Sequence, residues 1–229
     1  MIYITGDTHG EINHAHLNND KVKKACGNEF PDYVIVLGDF GFIWSNDPYN
    51  AQEQYWLNWL DAKPFKVLFI DGNHCNFTRI NKLPTVNMFG SEVGQVSDNV
   101  FHLRRGHIYT IEEKTFFCMG GAMSIDKDTR ILNISWWSEE IPSYADYLKG
   151  KENLEKVENK VDYVLTHTCP ISIMRTYFDD TDKYKDSTCN MLESYKEDIT
   201  FTKWLFGHMH EDLVLDKFSA IYHGYHIIF

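Results

Sequence analysis

The chain has no apolar run approaching the length of a membrane span, and its first apolar segment, Ile2 to Thr5, is too short for a signal h-region. A soluble, unprocessed protein with no membrane partner is expected. No basic run is longer than Arg104-Arg105 and the formal net charge is -11, so the electrostatic footprint for gripping long duplex nucleic acid is missing. The five cysteines, Cys26, Cys75, Cys118, Cys169 and Cys189, are odd in number and show no CxxC spacing. That pattern argues against a disulfide framework and a zinc-thiolate site, and it fits a reducing cytoplasm. Internal repeats and low-complexity tracts are absent too.

What is present is an ordinary globular composition, 229 residues with 43% hydrophobic content, enough for one domain over 1–229 with a full core. The amino-terminal half alternates strand and helix: strand 2–6, helix within 14–26, strand 33–38, helix about 51–62, strand 66–71 and a short helix near 76–82. That is a βαβαβ start. From Val100 the texture changes to short β-rich pieces (VFHL, HIYTI, TFFCMGG), which predict a second sheet of mostly antiparallel strands. Residues 124–148, polar and Trp-rich with a proline, lack clean periodicity and read as a long loop that bears on function. A charged helix at 151–160 leads to strand 162–166. Residues 171–200 are helical in part, with TDKYKDST as a solvated loop, and hairpin-like strands close the chain around 213–217, 219–223 and 225–229.

Five short segments carry the chemistry: Asp7 and His9 in GDTHG, Asp39 in LGDFG, Asn73 and His74 in DGNHC, His167 in LTHTCP, and His208 with His210 in FGHMH. Apolar or β-rich runs precede them (IYIT, YVIVL, KVLFI, YVLT, TKWLF), so the polar residues gather where strands end, as sites do in open α/β sheets. Such a set suits a pair of divalent cations. Hydrolysing a phosphate ester needs a nucleophile at neutral pH, neutralised phosphoryl oxygens and in-line geometry, all of which two cations about 3.5–4 Å apart provide. A shared anionic ligand lowers their mutual repulsion, and Asp39 is the natural bridge. Asp7 and His9 are two apart, as are His208 and His210, so on a tight loop both members of a pair can turn toward one ion.

The order D-x-H, G-D, G-N-H, H, G-H-x-H resembles the calcineurin-like metallophosphoesterase superfamily, with its motifs spread from residue 7 to residue 210. The resemblance implies a four-layer α/β/β/α sandwich of two mixed sheets flanked by helices, with the site at the strand ends. It also implies that Asp7, His9, Asp39 and His210 hold one metal, that Asp39, Asn73, His167 and His208 hold the other, and that His74 faces the substrate. Mixed nitrogen and oxygen donors without thiolate suit Mn, Fe, Zn, Co or Ni, and Mn²⁺ is expected to support activity. A metal-bound hydroxide would then attack phosphorus in line, on a phosphorylated small molecule, a nucleotide or a phosphoprotein. A Gly120-Gly121 segment after the third motif, with GDF in the second, resembles the lariat-debranching branch, which makes a nucleotide or RNA phosphodiesterase the alternative. A non-catalytic interaction module on the same fold is the rival of another class, disfavoured because every ligand position is filled.

Two positions depart from the superfamily pattern. Cys75 stands where most members have an acid, and it reads as a packing residue rather than a nucleophile or redox sensor. The second motif runs Gly38-Asp39-Phe40-Gly41-Phe42-Ile43-Trp44, without the acid and arginine found in the protein phosphatases, so His74 lacks the partner that would raise its pKa. After Gly120-Gly121, residues Ser124, Asp126 and Arg130 are expected to run close to the metals, with Arg130 offering its guanidinium to the phosphate. Trp136-Trp137 could stack on a nucleobase or anchor a loop, and Tyr3, Phe40, Phe42 and Trp44 leave the same choice open. His14, His16, His102, His107, His223 and His226 have no converging partners in the sequence and read as surface or core residues.

Overall fold

A computed structural model describes residues 1–178 and 187–229; most of the TDKYKDST loop lies outside the described residues. In chain order its strands are β1 (Ile2–Thr5), β2 (Tyr33–Val36), β3 (Lys66–Phe69), β4 (Thr85–Met88), β5 (Ser91–Gln95), β6 (Val100–Leu103), β7 (His107–Ile111), β8 (Lys114–Met119), β9 (Tyr163–Thr166), β10 (Lys203–Phe206), β11 (Leu213–Val214), β12 (Phe218–Ala220) and β13 (Tyr225–Ile228). Its α-helices are α1 (Asn19–Ala25), α2 (Ala51–Asp61), α3 (Phe77–Ile80), α4 (Tyr144–Glu155), α5 (Ile171–Tyr177) and α6 (Ser187–Asp198). They build a seven-stranded sheet in the order β13-β1-β2-β3-β6-β5-β4 and a six-stranded sheet in the order β11-β12-β10-β9-β8-β7.

The central strands are apolar at consecutive positions because both faces of each sheet are covered. In β1, Ile2 and Ile4 point into the layer between the sheets, where they meet Ile35, Leu68, Phe116, Leu165 and Leu205. Tyr3, between them, points the other way and joins Val34, Val36, Val67 and Phe69 against Leu17, Val22, Leu57 and Leu60 of the first helical layer. The second sheet repeats this: Phe117, Val164, Trp204 and Phe206 pack outward on Leu154, Met174, Leu192 and Tyr195 of α4, α5 and α6. The result is the four-layer α/β/β/α sandwich.

Strands β1, β2, β3 and β6 run parallel in register, and so do β8, β9, β10 and β12. The second sheet is therefore not mostly antiparallel; among the described residues, only β7 with β8 and β11 with β12 pair that way. The physical reason is that α4 lies between β8 and β9, and α5 and α6 lie between β9 and β10, which gives the long crossovers that parallel neighbours need. The last strand leaves this sheet and pairs antiparallel with β1 in the first. Helix α4 also begins earlier than the expected 151–160, because Ser143 and Asp146 form a reciprocal capping box that starts the helix at Tyr144. The 124–148 segment is thus a loop only to Ser143, pinned by two short 3₁₀ turns. Among the described residues, no helix is long and apolar enough to cross a membrane.

Candidate metal centre

The parallel strands all end at one edge, and every motif residue sits in the loop that follows one of them: Asp7 and His9 after β1, Asp39 after β2, Asn73 and His74 after β3, His167 after β9, His208 and His210 after β10. Bonds between loops hold this edge together. The His9 N–H donates to the Asp39 carbonyl at 2.7 Å, the Gly207 N–H to the His167 carbonyl at 2.9 Å, and the His208 N–H to Asp7 Oδ1 at 3.1 Å. His167 reaches across from the second sheet to the Leu37 carbonyl with Nδ1, at 2.8 Å. Glycine is required where two loops touch: a side chain on Gly72 would overlap the Asp39 carboxylate, and one on Gly207 would overlap that of Asp7. Backbone strain collects here as well. Among the described residues, the non-glycine positions with positive φ include His9, Asp39, His208 and His210, each held in the left-handed region so that its side chain turns inward.

Asp7 and Asp39 are buried, and among the described residues their charge partners are histidines, not lysine or arginine. Asp39 Oδ2 lies 3.4 Å from His9 Nε2 while Oδ1 lies 3.5 Å from His167 Nε2, so its two oxygens face two different groups. Asp7 Oδ2 lies 3.3 Å from His210 Nε2, and Oδ1 lies 4.0 Å from His167 Nδ1. Donor atoms of Asp7, His9 and His210 converge within 4.8 Å of one another, and so do those of Asp7, Asp39 and His167. Asn73 Oδ1 adds a further oxygen 3.0 Å from His167 Nε2, and the His208 ring lies against that of His167 with centroids 4.9 Å apart.

This arrangement needs a positive charge between its members. His167 Nδ1 donates to the Leu37 carbonyl, so in the neutral ring the Nε2 lone pair points at the Asn73 oxygen and at a carboxylate, acceptor against acceptor. A divalent cation removes that conflict, and the mixed imidazole, carboxylate and amide donors suit one. Without a cation a proton takes the same place. Burial pulls the His167 pKa down, yet the Asp39 and Asp7 carboxylates outweigh it and push it up to about 9. The same attraction, against its own burial, holds Asp39 well below the usual carboxylate range. His208, half-buried beside His167, is pushed down to about 3 by desolvation and by the His167 charge, which keeps its ring a neutral donor.

His74 stands apart from these donors. Its backbone N–H donates to Asp39 Oδ1 at 2.8 Å, its Nε2 is 4.0 Å from Asp39 Oδ2, and its side chain is 33% exposed into a cavity of about 250 Å³ lined by Asp39, Asn73, Asp126, His208 and His210. In place of the missing acid, Arg130 meets the ring: its guanidinium donates to His74 Nδ1 at 2.7 Å while gripping both oxygens of Asp126 at 2.8 and 2.9 Å. The guanidinium also lies 3.4 Å from Nε2, but the much shorter contact to Nδ1 favours the neutral tautomer whose proton is on Nε2, facing the cavity. Burial first, and the neighbouring Arg130 charge further down, lower its pKa.

Cys75 is buried, takes a bond from the Gly72 N–H at 3.3 Å, and has its thiol pushed well up by burial and by Asp39. It packs. Trp137 also packs, donating from Nε1 to Thr78 at 2.8 Å, and Tyr3, Phe40 and Phe42 are core residues, whereas Trp44 lines a shallow hollow beside His9. Of the remaining histidines, His102 has a supporting role that its sequence position hides. With Arg105 it clamps the buried Asp71, at 3.0 and 2.8 Å, at the exit of β3 two residues before Asn73. Asp71 in turn takes the Gly121 N–H on its carbonyl at 2.9 Å, which draws the exit of β8 to the site.

A family profile described as calcineurin-like phosphoesterase matches residues 1–212. No curated protein matches the chain. Among solved structures, a Staphylococcus aureus protein named as a 5′-nucleotidase, crystallised with alpha-ketoglutarate, aligns over 96% of this chain and 48% of its own at 13% identity and TM-score 0.52. The phosphopantetheinyl hydrolase of Mycobacterium tuberculosis aligns over 96% of this chain and 89% of its own at 16% identity and TM-score 0.47. The chain therefore spans about half the length of the first of these structures, whose likeness at 13% identity speaks to the fold alone.

Proposed function

Because the chain belongs to the calcineurin-like phosphoesterase family, we propose that it is a dinuclear, metal-dependent hydrolase of phosphate esters, formed by one domain over residues 1–229. The observation that carries this reading is the placement of Asp39, a buried carboxylate whose two oxygens face two separate histidine groups. In this reading Asp7, His9 and His210 share one ion with Asp39, and Asn73, His167 and His208 share the other. Asp7 lies within reach of both groups, so its charge also lowers the repulsion between the cations. Two divalent ions held there supply Lewis-acid charge to the phosphoryl oxygens and a nucleophile at neutral pH.

The chain's own residues do the rest. His74 presents Nε2–H to the cavity and stabilises charge on the transferring phosphoryl group or protonates the leaving oxygen. Arg130 keeps that tautomer and, released from Asp126, offers a planar fork to a phosphoryl oxygen. The cavity of about 250 Å³ is below the roughly 300–1,000 Å³ of sites that enclose a drug-sized ligand, so it takes a phosphoryl group while the alcohol lies outside. A phosphorylated small molecule, nucleotides included, is the proposed substrate. Manganese is the proposed metal, and five scattered cysteines without CxxC spacing fit a cytoplasmic setting.

The test is the purified protein with Mn²⁺, assayed side by side on a phosphomonoester, a phosphodiester and a panel of nucleotides. Turnover that chelation abolishes and Mn²⁺ restores is expected. Two bound ions with no turnover on any of them would favour the non-catalytic module, and preference for the diester would favour the phosphodiesterase.

A further inference from the structure

The loop between β8 and α4 sends two residues beneath the metal centre. Ser124 and Glu140 are both buried, and Glu140 takes both polar hydrogens of Ser124: the backbone N–H on Oε1 at 2.8 Å and the hydroxyl on Oε2 at 2.7 Å. With its only hydroxyl proton committed, Ser124 Oγ can act toward a third group solely as an acceptor. That third group is Asn73, whose Nδ2–H donates to it at 3.2 Å. The amide is then fixed the other way round on its opposite side, with Oδ1 toward His167 Nε2 at 3.0 Å. Glu140 is itself held from outside the site: Arg105 donates to its carbonyl at 3.3 Å, and the neighbouring Trp137 is locked in the core.

We propose that Glu140, acting through Ser124, is a positioning residue that sets the direction of the Asn73 amide and so keeps an oxygen, and not an NH₂ group, turned toward the metal. This deepens the metal-site reading and rests on it. An asparagine ligand has a failure that a carboxylate lacks: turned by half a revolution, it presents two donors to a cation. A buried anion two bonds away prevents that. Glu140→Gln keeps the shape and reverses the polarity, because the new amide donates to Ser124 Oγ, the hydroxyl proton turns to Asn73, and the Asn73 amide flips to accept it.

Mn²⁺ titration of chelator-stripped protein by calorimetry, with elemental analysis of the product, measures this without turnover. Wild type is expected to bind two ions, and Glu140→Gln to weaken one of them by about 10–100-fold, the range for partners behind the ligands, with the other within about threefold. In an Asn73→Asp background, where no amide can flip, Glu140→Gln should add little further loss, since the coupling between the two sites is what the cycle isolates. If Glu140→Gln fails to fold, Ser124→Ala, which retains the backbone bond to Glu140, should show the same selective loss. Unchanged binding of both ions, equal weakening of both, or an undiminished loss in the Asn73→Asp background would overturn the proposal. Failure of the wild type to bind a pair of ions would instead overturn the metal-site reading beneath it.

Discussion

Loading the metal centre should release a proton from His167. Its ring is buried with Nδ1 committed to Leu37, and although burial opposes the charge, Asp39 and Asp7 push the pKa up to about 9. At pH 7 the stripped protein therefore holds a proton on Nε2, and a cation there must displace it. Apparent affinity for that ion should rise about tenfold per pH unit below the folded pKa and level off above it. The same shift has a stability consequence for the stripped protein. Raised from 6.5 to about 9, the ring contributes on the order of 3 kcal/mol at about 1.36 kcal/mol per unit, with the matching depression of Asp39 counted as the same attraction. A folded pKa above the unfolded one favours folding fully below 6.5, and that contribution disappears as the pH rises through about 9. The melting temperature of the stripped protein should then fall by roughly 6–12 °C across that window, at about 2–4 °C per kcal/mol for a chain this long. Calorimetric titration with Mn²⁺ in two buffers of different ionisation enthalpy counts the protons directly. Asp39→Asn should lower that count and the metal content together, since it removes both the partner of His167 and the shared ligand. Zero protons released at pH 7 by a wild type that binds metal would refute the electrostatic account of His167.

Three further outcomes can be checked independently. His74→Ala should keep both ions by elemental analysis yet slow turnover by about 10²-fold or more, because in the proposed reading His74 acts on the transition state and not on metal affinity. A smaller loss on a nitrophenyl ester than on an alkyl ester would identify it as the proton donor, an equal loss as an electrostatic contact, and loss of metal would show the assignment to be wrong. Arg130→Lys should raise KM more than it lowers kcat, since a point charge replaces a two-pronged donor, and an unchanged KM would confine Arg130 to its ion pair with Asp126. Cys75→Ser should retain activity within about tenfold, a barrier change near 1.4 kcal/mol, and abolished turnover with metals intact would return the thiol to the mechanism.

How far all this could be read from the sequence follows from where the interactions lie along the chain. The strands and the gathering of the motif residues at their ends were legible because apolar run, glycine and candidate ligand are neighbours in the chain, and the four layers followed from strands apolar on both faces together with the superfamily resemblance. The β4–β5 hairpin was not legible. It turns at Phe89 and Gly90, both at positive φ, and a phenylalanine gives no sign of a turn that usually calls for asparagine or aspartate before glycine. Nor was the parallel core of the second sheet, because pairing direction depends on crossovers whose length only the true start of α4 reveals. The residues behind the candidate ligands were hidden for a sharper reason. Asn73 meets Ser124 across 51 positions and Asp71 meets Arg105 across 34, and each partner alone looks like an ordinary polar residue. The loop from 124 to 143 carries no periodicity because its order comes from such contacts: Trp137 into the core, Glu140 onto Ser124, Arg130 onto His74. In the proposed reading its part is positional: it holds the orientation of a candidate ligand and the tautomer of a histidine without contributing a single donor to the metal.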